Sequence, residues 1–248
     1  MRILALALVA ALAATGCQSN KALVRITNPD DPFVEVRIGI TNLTLKGKVT
    51  ACGGWTNRLA EILKASGAGK EHQEVHVVLQ SEDGVCYEDD AKVVYACYLA
   101  KVRNLDYGGV SVLVPKEFRP ILESVKDGKP HVLLPPPDNR PRIRIEMYEV
   151  GPDGEYQGDG KNDWVDIVLD GKQSLFKAGG PQESAKAMQL EFTELQDRLR
   201  EKSAAGVPPD MLVEIVPTMA CKHAWVVQAC KAVAAAGFTN IELAFPYE

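Results

Sequence analysis

Two stretches of the chain repeat the same order of apolar patterns. "EVHVVLQ" (74–80) and "MLVEIV" (211–216) are short, β-branched runs with strand character. Each is followed by a segment with apolar residues at helical spacing. In "KVVYACYLAKV" these are Val93, Val94, Cys97 and Ala100, and in "WVVQACKAVAAAG" they are Val226, Val227, Cys230, Val233 and Ala234. A further β-type run closes each stretch, "GGVSVLVP" in one and "FTNIELAFP" in the other. Upstream, "LTLKGKVTACGG" and "IVLDGKQSLFKAGG" share a strand, a Leu-x-Gly-Lys turn and a Gly-Gly pair. The helix-compatible segments "WTNRLAEILKAS" and "PQESAKAMQLEFTELQDRLREK" follow them.

The pattern predicts an α/β (α+β) fold made of two similar ββαβαβ domains, 33–115 and 142–248. Between them, 116–141 reads as a linker, with a short helix around Glu117 to Val125 and the donor-poor, stiff "LLPPPDNRPR". The shared V-x-A-C core aligns Cys97 with Cys230, both on buried stripes where cysteine packs as a small hydrophobe. "VGPDGEYQGDGKND" (150–163) reads as a solvated hairpin extension, since Asp153, Asp159 and Asp163 lack the ligand spacing of an EF-hand loop.

The first residues change the picture of where such a protein works. "MRILALALVAALAATGCQS" carries one arginine, an apolar run too short to span a bilayer, and small residues ending at Cys17. "ATGC" resembles a bacterial lipobox, which implies a signal peptide over 1–16, lipidation of Cys17 and a tether over 17–32. Ordinary secretion with cleavage nearby is the alternative. Gln18 after the cysteine points to the outer membrane rather than the inner one, with the chain facing the periplasm. A net charge of −5 argues against a general nucleic-acid binder, and 46% hydrophobic residues suffice for a sizeable core. Export places Cys52, Cys86, Cys97, Cys221 and Cys230 where disulfides are permitted. In the expected element order Cys52 and Cys86 lie at one sheet end, within reach of each other.

Candidate chemistry concentrates in "PTMACKHAW". Met219, Cys221 and His223 alternate, so an extended backbone would turn a thioether, a thiol and an imidazole to one side, a set suited to Cu(I). A helix starting near Cys221 to His223 would rotate them apart. Cys221 at a helix start beside Lys222 and His223 also reads as a thiolate nucleophile. No Walker loop, dinucleotide fingerprint, HExxH or GxSxG motif occurs.

The C-terminal "LVEIVPTMACKHAWVVQACKAVAAAGFTNIELAFP", and above all Ala236-Gly237-Phe238-Thr239-Asn240 before the last strand, resembles the end of the periplasmic domain of the ExbD/TolR biopolymer-transport family. The resemblance covers about Arg142 to Glu248 and extends more weakly to Phe33 to Pro115. It departs from the family in having a removable signal where members carry a transmembrane helix with an aspartate, in Thr218 where an aspartate is usual, and in His223 where a tyrosine is usual. Tyr87 keeps that aromatic in the first half. The resemblance therefore implies a non-catalytic binding or scaffolding component, without proton coupling, cofactor or resident metal. Implied partners are envelope proteins, ExbD/TolR-type transport subunits or peptidoglycan. Tyr87, His223, Phe238, Thr239 and Asn240 are the expected partner surface, and Ile241 to Phe245 an edge strand open to a partner or to the sister repeat. A metal-handling or thiol enzyme using Cys221 and His223 is the alternative.

Overall fold

The computed structural model describes residues 22–27, 34–38, 42–45, 48–51, 54–67, 75–116, 122–126, 129–133, 141–158, 162–171, 173–175 and 184–244. The first half contains β1 (Ala22–Thr27), β2 (Val34–Ile38), β3 (Asn42–Leu45), β4 (Lys48–Ala51), α1 (Trp55–Ala65), β5 (His76–Ser81), α2 (Tyr87–Leu99), β6 (Asn104–Tyr107) and β7 (Val110–Leu113). A hairpin of β8 (Leu122–Lys126) and β9 (Lys129–Leu133) stands apart. The second half contains β10 (Arg142–Val150), β11 (Trp164–Leu169), β12 (Gln173–Ser174), α3 (Ser184–Ala204), β13 (Leu212–Pro217), α4 (His223–Ala235) and β14 (Asn240–Leu243).

The fold is mixed α/β, and the described strands of both halves join in one twelve-stranded sheet. Its order is β12-β11-β10-β13-β14 from the second half, then β7-β6-β5-β1-β2-β3-β4 from the first. The joint is β14 against β7, parallel, with Glu242 opposite Leu113. The strand expected to be open thus meets the sister repeat. One apolar cluster runs through both halves, from Leu59, Leu63, Leu79 and Val94 to Ile145, Ile215, Val226 and Phe238. The alternating apolar positions of β10 (Ile143, Ile145, Met147) and of β13 (Val213, Ile215) contribute the sheet side of that core, while Val216 of β13 packs in a second, smaller cluster with Tyr148, Val150 and Trp164.

The repeat is visible at the level of single hydrogen bonds. β5 and β13, α2 and α4, and β6 and β14 are pairs of equal length, and each second member begins 136 positions later (212 − 76, 223 − 87, 240 − 104). The helix ends match as well. Lys101 N–H donates to the Tyr98 carbonyl and Val102 N–H to that of Cys97, while Gly237 N–H donates to Ala234 and Phe238 N–H to Val233. Both turns need a left-handed residue after the helix. The second half has Gly237 at φ 93, and the first has Lys101 at φ 60.

Several sequence expectations need correction. The V-x-A-C motif aligns the halves at an offset of 133 (230 − 97), whereas the fold aligns Cys97 with Val233 and Cys230 with Val94. Three residues are close to one helical turn, so the shifted motif keeps nearly the same buried face and periodicity cannot detect the slip. "VSVL" is not the counterpart of "NIEL"; that counterpart is "NLDY". β7 is an added strand, turned back onto β6 by Gly108 and Gly109 at φ 57 and 88, the conformation a two-residue hairpin turn requires. Residues 22–27, expected in the tether, form β1, which lies between β5 and β2 and runs antiparallel to both. In the second half the neighbour of β13 is instead the parallel β10. The helix expected around Glu117 to Val125 is replaced from Leu122 onward by β8, paired antiparallel with β9.

Candidate functional site

The starts of α2 and α4 face one another across the joint. A helix leaves its first amides without internal acceptors, and each of these helices finds them in the other half. Tyr87 N–H donates to the Cys221 carbonyl (2.7 Å) and Glu88 N–H to that of Met219 (3.1 Å). In return, His223 N–H donates to the Val85 carbonyl (2.7 Å) and Ala224 N–H to that of Asp83 (3.3 Å). The four bonds are two pairs related by the same offset of 136 (223 − 87, 221 − 85). At their centre Cys86 and Lys222, the residues preceding the two helices, form an antiparallel bridge.

Beside this exchange lies a buried polar cluster. Asp90, in the first turn of α2, is 0% exposed and His223 only 4%. The Asp90 carboxylate accepts from the Ser81 hydroxyl at Oδ1 (2.6 Å), and at Oδ2 from the Tyr107 hydroxyl (2.5 Å) and from Nδ1 of His223 (2.7 Å). The Tyr107 and His223 rings lie 4.9 Å apart, tilted. β5, α2 and β6 of the first half thus build a socket, and α4 of the second half supplies the imidazole that fills it. Burial, with Asp90 nearby, holds the Tyr107 phenol well above its ordinary pKa.

Tyr87 makes the reciprocal insertion. It is fully buried, and its hydroxyl donates to the Ala244 carbonyl. Burial first, then Asp90, Cys230 and Cys221, push its pKa upward, so the ring enters the second half near those two sulfurs as a neutral phenol.

The sequence-predicted residues distribute unevenly over this arrangement. Tyr87 and His223 are buried contacts between the halves rather than an outer partner surface, and Phe238 is 2% exposed in the core. Thr239 and Asn240 hold the loop before β13: Thr239 N–H donates to Pro209 (2.9 Å) and the Asn240 side-chain amide to Asp210 (2.7 Å). Cys221 and His223 do not share a site with an extended Met219, because a turn closed by Cys221 N–H on the Thr218 carbonyl (3.1 Å) interrupts the alternation before α4 begins. The Cys221 sulfur is buried, donates to the Met147 carbonyl (3.3 Å) and lies 3.4 Å from the Thr218 hydroxyl, while Nδ1 of His223 is on Asp90. Among the described residues no cluster of three or more His, Cys, Asp or Glu is placed to hold a metal. Cys97 and Cys230 are fully buried; burial pushes the Cys97 thiol up to about 12 and the Cys230 thiol higher still, so both pack as inert groups. Cys17 and Cys52 lie outside the described residues, and with them the lipidation site and the Cys52–Cys86 pairing.

Asp90, Ser81 and Tyr107 were missed from sequence. The available signal was a charge out of place: Asp90 falls three positions after Tyr87 and four before Val94, on the buried stripe of an amphipathic helix. Among the described residues no helix is long and apolar enough to cross a membrane. Comparison with protein-family models, curated proteins and solved structures found no match for the chain.

Proposed function

We propose that the chain is a lipid-anchored, non-catalytic component of the bacterial envelope, a periplasmic binding or scaffolding body made of two ExbD/TolR-like domains that act as a covalent pseudo-dimer. The observation that carries this reading is the reciprocal capping of α2 and α4, repeated at one fixed offset. Joining two copies in one chain removes most of the association entropy that separate subunits face. The reactive groups in the region serve the joint: the imidazole is held by Asp90 and the Cys221 sulfur is buried. That supports binding over catalysis. Partners in this reading are envelope proteins such as ExbD/TolR-type transport subunits, or peptidoglycan, with the outer membrane reached through lipid on Cys17.

Photo-crosslinking in cells tests it, with the crosslinker replacing the exposed Lys231 on α4. The expected result is an adduct with an envelope protein or a wall fragment, lost when Cys17→Ser releases the chain from the membrane. Absence of any such adduct, together with one metal ion bound per chain that Cys221→Ser abolishes, would favour the enzyme reading instead.

A further inference from the structure

The two helix starts are equivalent in backbone but opposite in the chemistry they meet. His223 enters a socket containing Asp90, Tyr107 and Ser81. At the offset of 136 that relates the halves, the positions of these three are taken by Val226, Leu243 and Pro217, and the place of His223 is taken by Tyr87. Val226 and Leu243 are each 0% exposed in the apolar core, and the Tyr87 hydroxyl needs only the Ala244 backbone carbonyl.

We infer that the two sockets are a pairing code, through which the first half accepts the second half and neither accepts a copy of itself. A first half against a first half would place Tyr87 in the acidic socket, leaving the buried Asp90 carboxylate without its imidazole. A second half against a second half would place His223 among Val226 and Leu243, where the ring nitrogens find no carboxylate. The first mismatch takes the imidazole from Asp90 and the second offers the imidazole one backbone carbonyl in place of a carboxylate, so each leaves a buried polar group short of its partner, a cost that specific interfaces use to exclude wrong pairings. The occupant of each socket is therefore the other half, from the same chain or, by reciprocal exchange, from a second copy. The inference stands on the socket residues alone and survives if the envelope role does not.

The full-length chain tests it by the sign of one substitution in two backgrounds. In the native socket, His223→Tyr lowers Tm by roughly 5 °C or more. With the socket made apolar by Asp90→Val and Tyr107→Leu, the same His223→Tyr raises Tm relative to that background. The mirror arm uses Tyr87→His, which lowers Tm in the native protein and raises it once Val226→Asp and Leu243→Tyr have built an acidic socket. A reversal of sign in either arm supports the code. Shifts of equal sign and size in the two backgrounds overturn it, because a tyrosine or histidine would then be accepted or rejected regardless of the socket it meets.

Discussion

Asp90→Ala destabilises the protein by about 3–5 kcal/mol, because it removes the shared acceptor of several inward-facing donors. The carboxylate is the common acceptor of three donors from three separate elements, Ser81 on β5, Tyr107 on β6 and His223 on α4. Its loss strands the buried Tyr107 phenol and His223 imidazole, each at about 1–3 kcal/mol before relaxation, and leaves the half-buried Ser81 hydroxyl without its acceptor. Asp90→Asn keeps the shape and one acceptor oxygen but turns an amide donor toward donors, and it falls between alanine and the native residue. Asp89→Ala, one position away and partly exposed with Lys92 at 3.8 Å, costs under about 1 kcal/mol. Urea midpoints of the three variants check the ranking. If Asp90→Ala cost no more than Asp89→Ala, the socket would have no part in holding the fold.

Gly108→Ala carries the second-largest expected effect, about 2–4 kcal/mol, from two separable sources. The backbone sits at φ 57, a left-handed conformation that disfavours any side chain. A methyl group there would also lie 2.6 Å from Cγ2 and 2.8 Å from Cγ1 of Val227, well inside contact distance. Val227 belongs to α4 and Gly108 to the turn between β6 and β7, so the clash falls at the joint of the halves. Gly109→Ala separates the two sources: its φ is 88, but an added Cβ meets nothing within 4 Å, and it loses only the backbone part, about 1–2 kcal/mol. Adding Val227→Ala to Gly108→Ala relieves the clash and recovers part of the difference. Chemical denaturation of the set reads both contributions; equal losses for Gly108→Ala and Gly109→Ala would mean that α4 does not press on the turn.

Much of the architecture was legible because its signals are local. The apolar runs at 74–80 and 211–216 became β5 and β13, and the β-type runs flanking the two Leu-x-Gly-Lys motifs pair as β3 with β4 and β11 with β12. The repeat itself was visible, yet its register was not. A three-residue slip on a helix leaves the buried stripe almost unchanged, and only the caps, the helix lengths and the strand pairs fix the offset at 136. The pairing partner of β5 was also hidden: β1 is short, lies before the recognised repeat and inserts by long-range hydrogen bonding that leaves no periodic trace.

The site was legible in its residues and misread in its role. His223 and Cys221 stand out by type and drew a chemical reading, while the family resemblance put Tyr87 and His223 on a partner surface; a helix start in isolation exposes its first amides. The fold satisfies those amides with carbonyls from the other half, and this draws both side chains inward. Asp90 is one of three acids in the first turn of α2, and its partner lies 133 residues away, beyond any sequence window.

The pairing of the halves at their helix starts is the claim on which the rest depends, and a single engineered disulfide tests it. Cys86 and Lys222 are bridge partners flanked by the Tyr87-to-Cys221 and His223-to-Val85 hydrogen bonds. They are thus directly opposed without bonding to each other, a position where Cα atoms come within about 4.5 Å and disulfide geometry is accessible. In a Cys52→Ser background, Lys222→Cys should oxidise to a Cys86–222 disulfide that nonreducing peptide mapping identifies within one chain, with Tm raised. If both thiols remained open to alkylation in the folded protein under oxidising conditions, the two helix starts would not meet, and the account of a self-paired chain would be wrong.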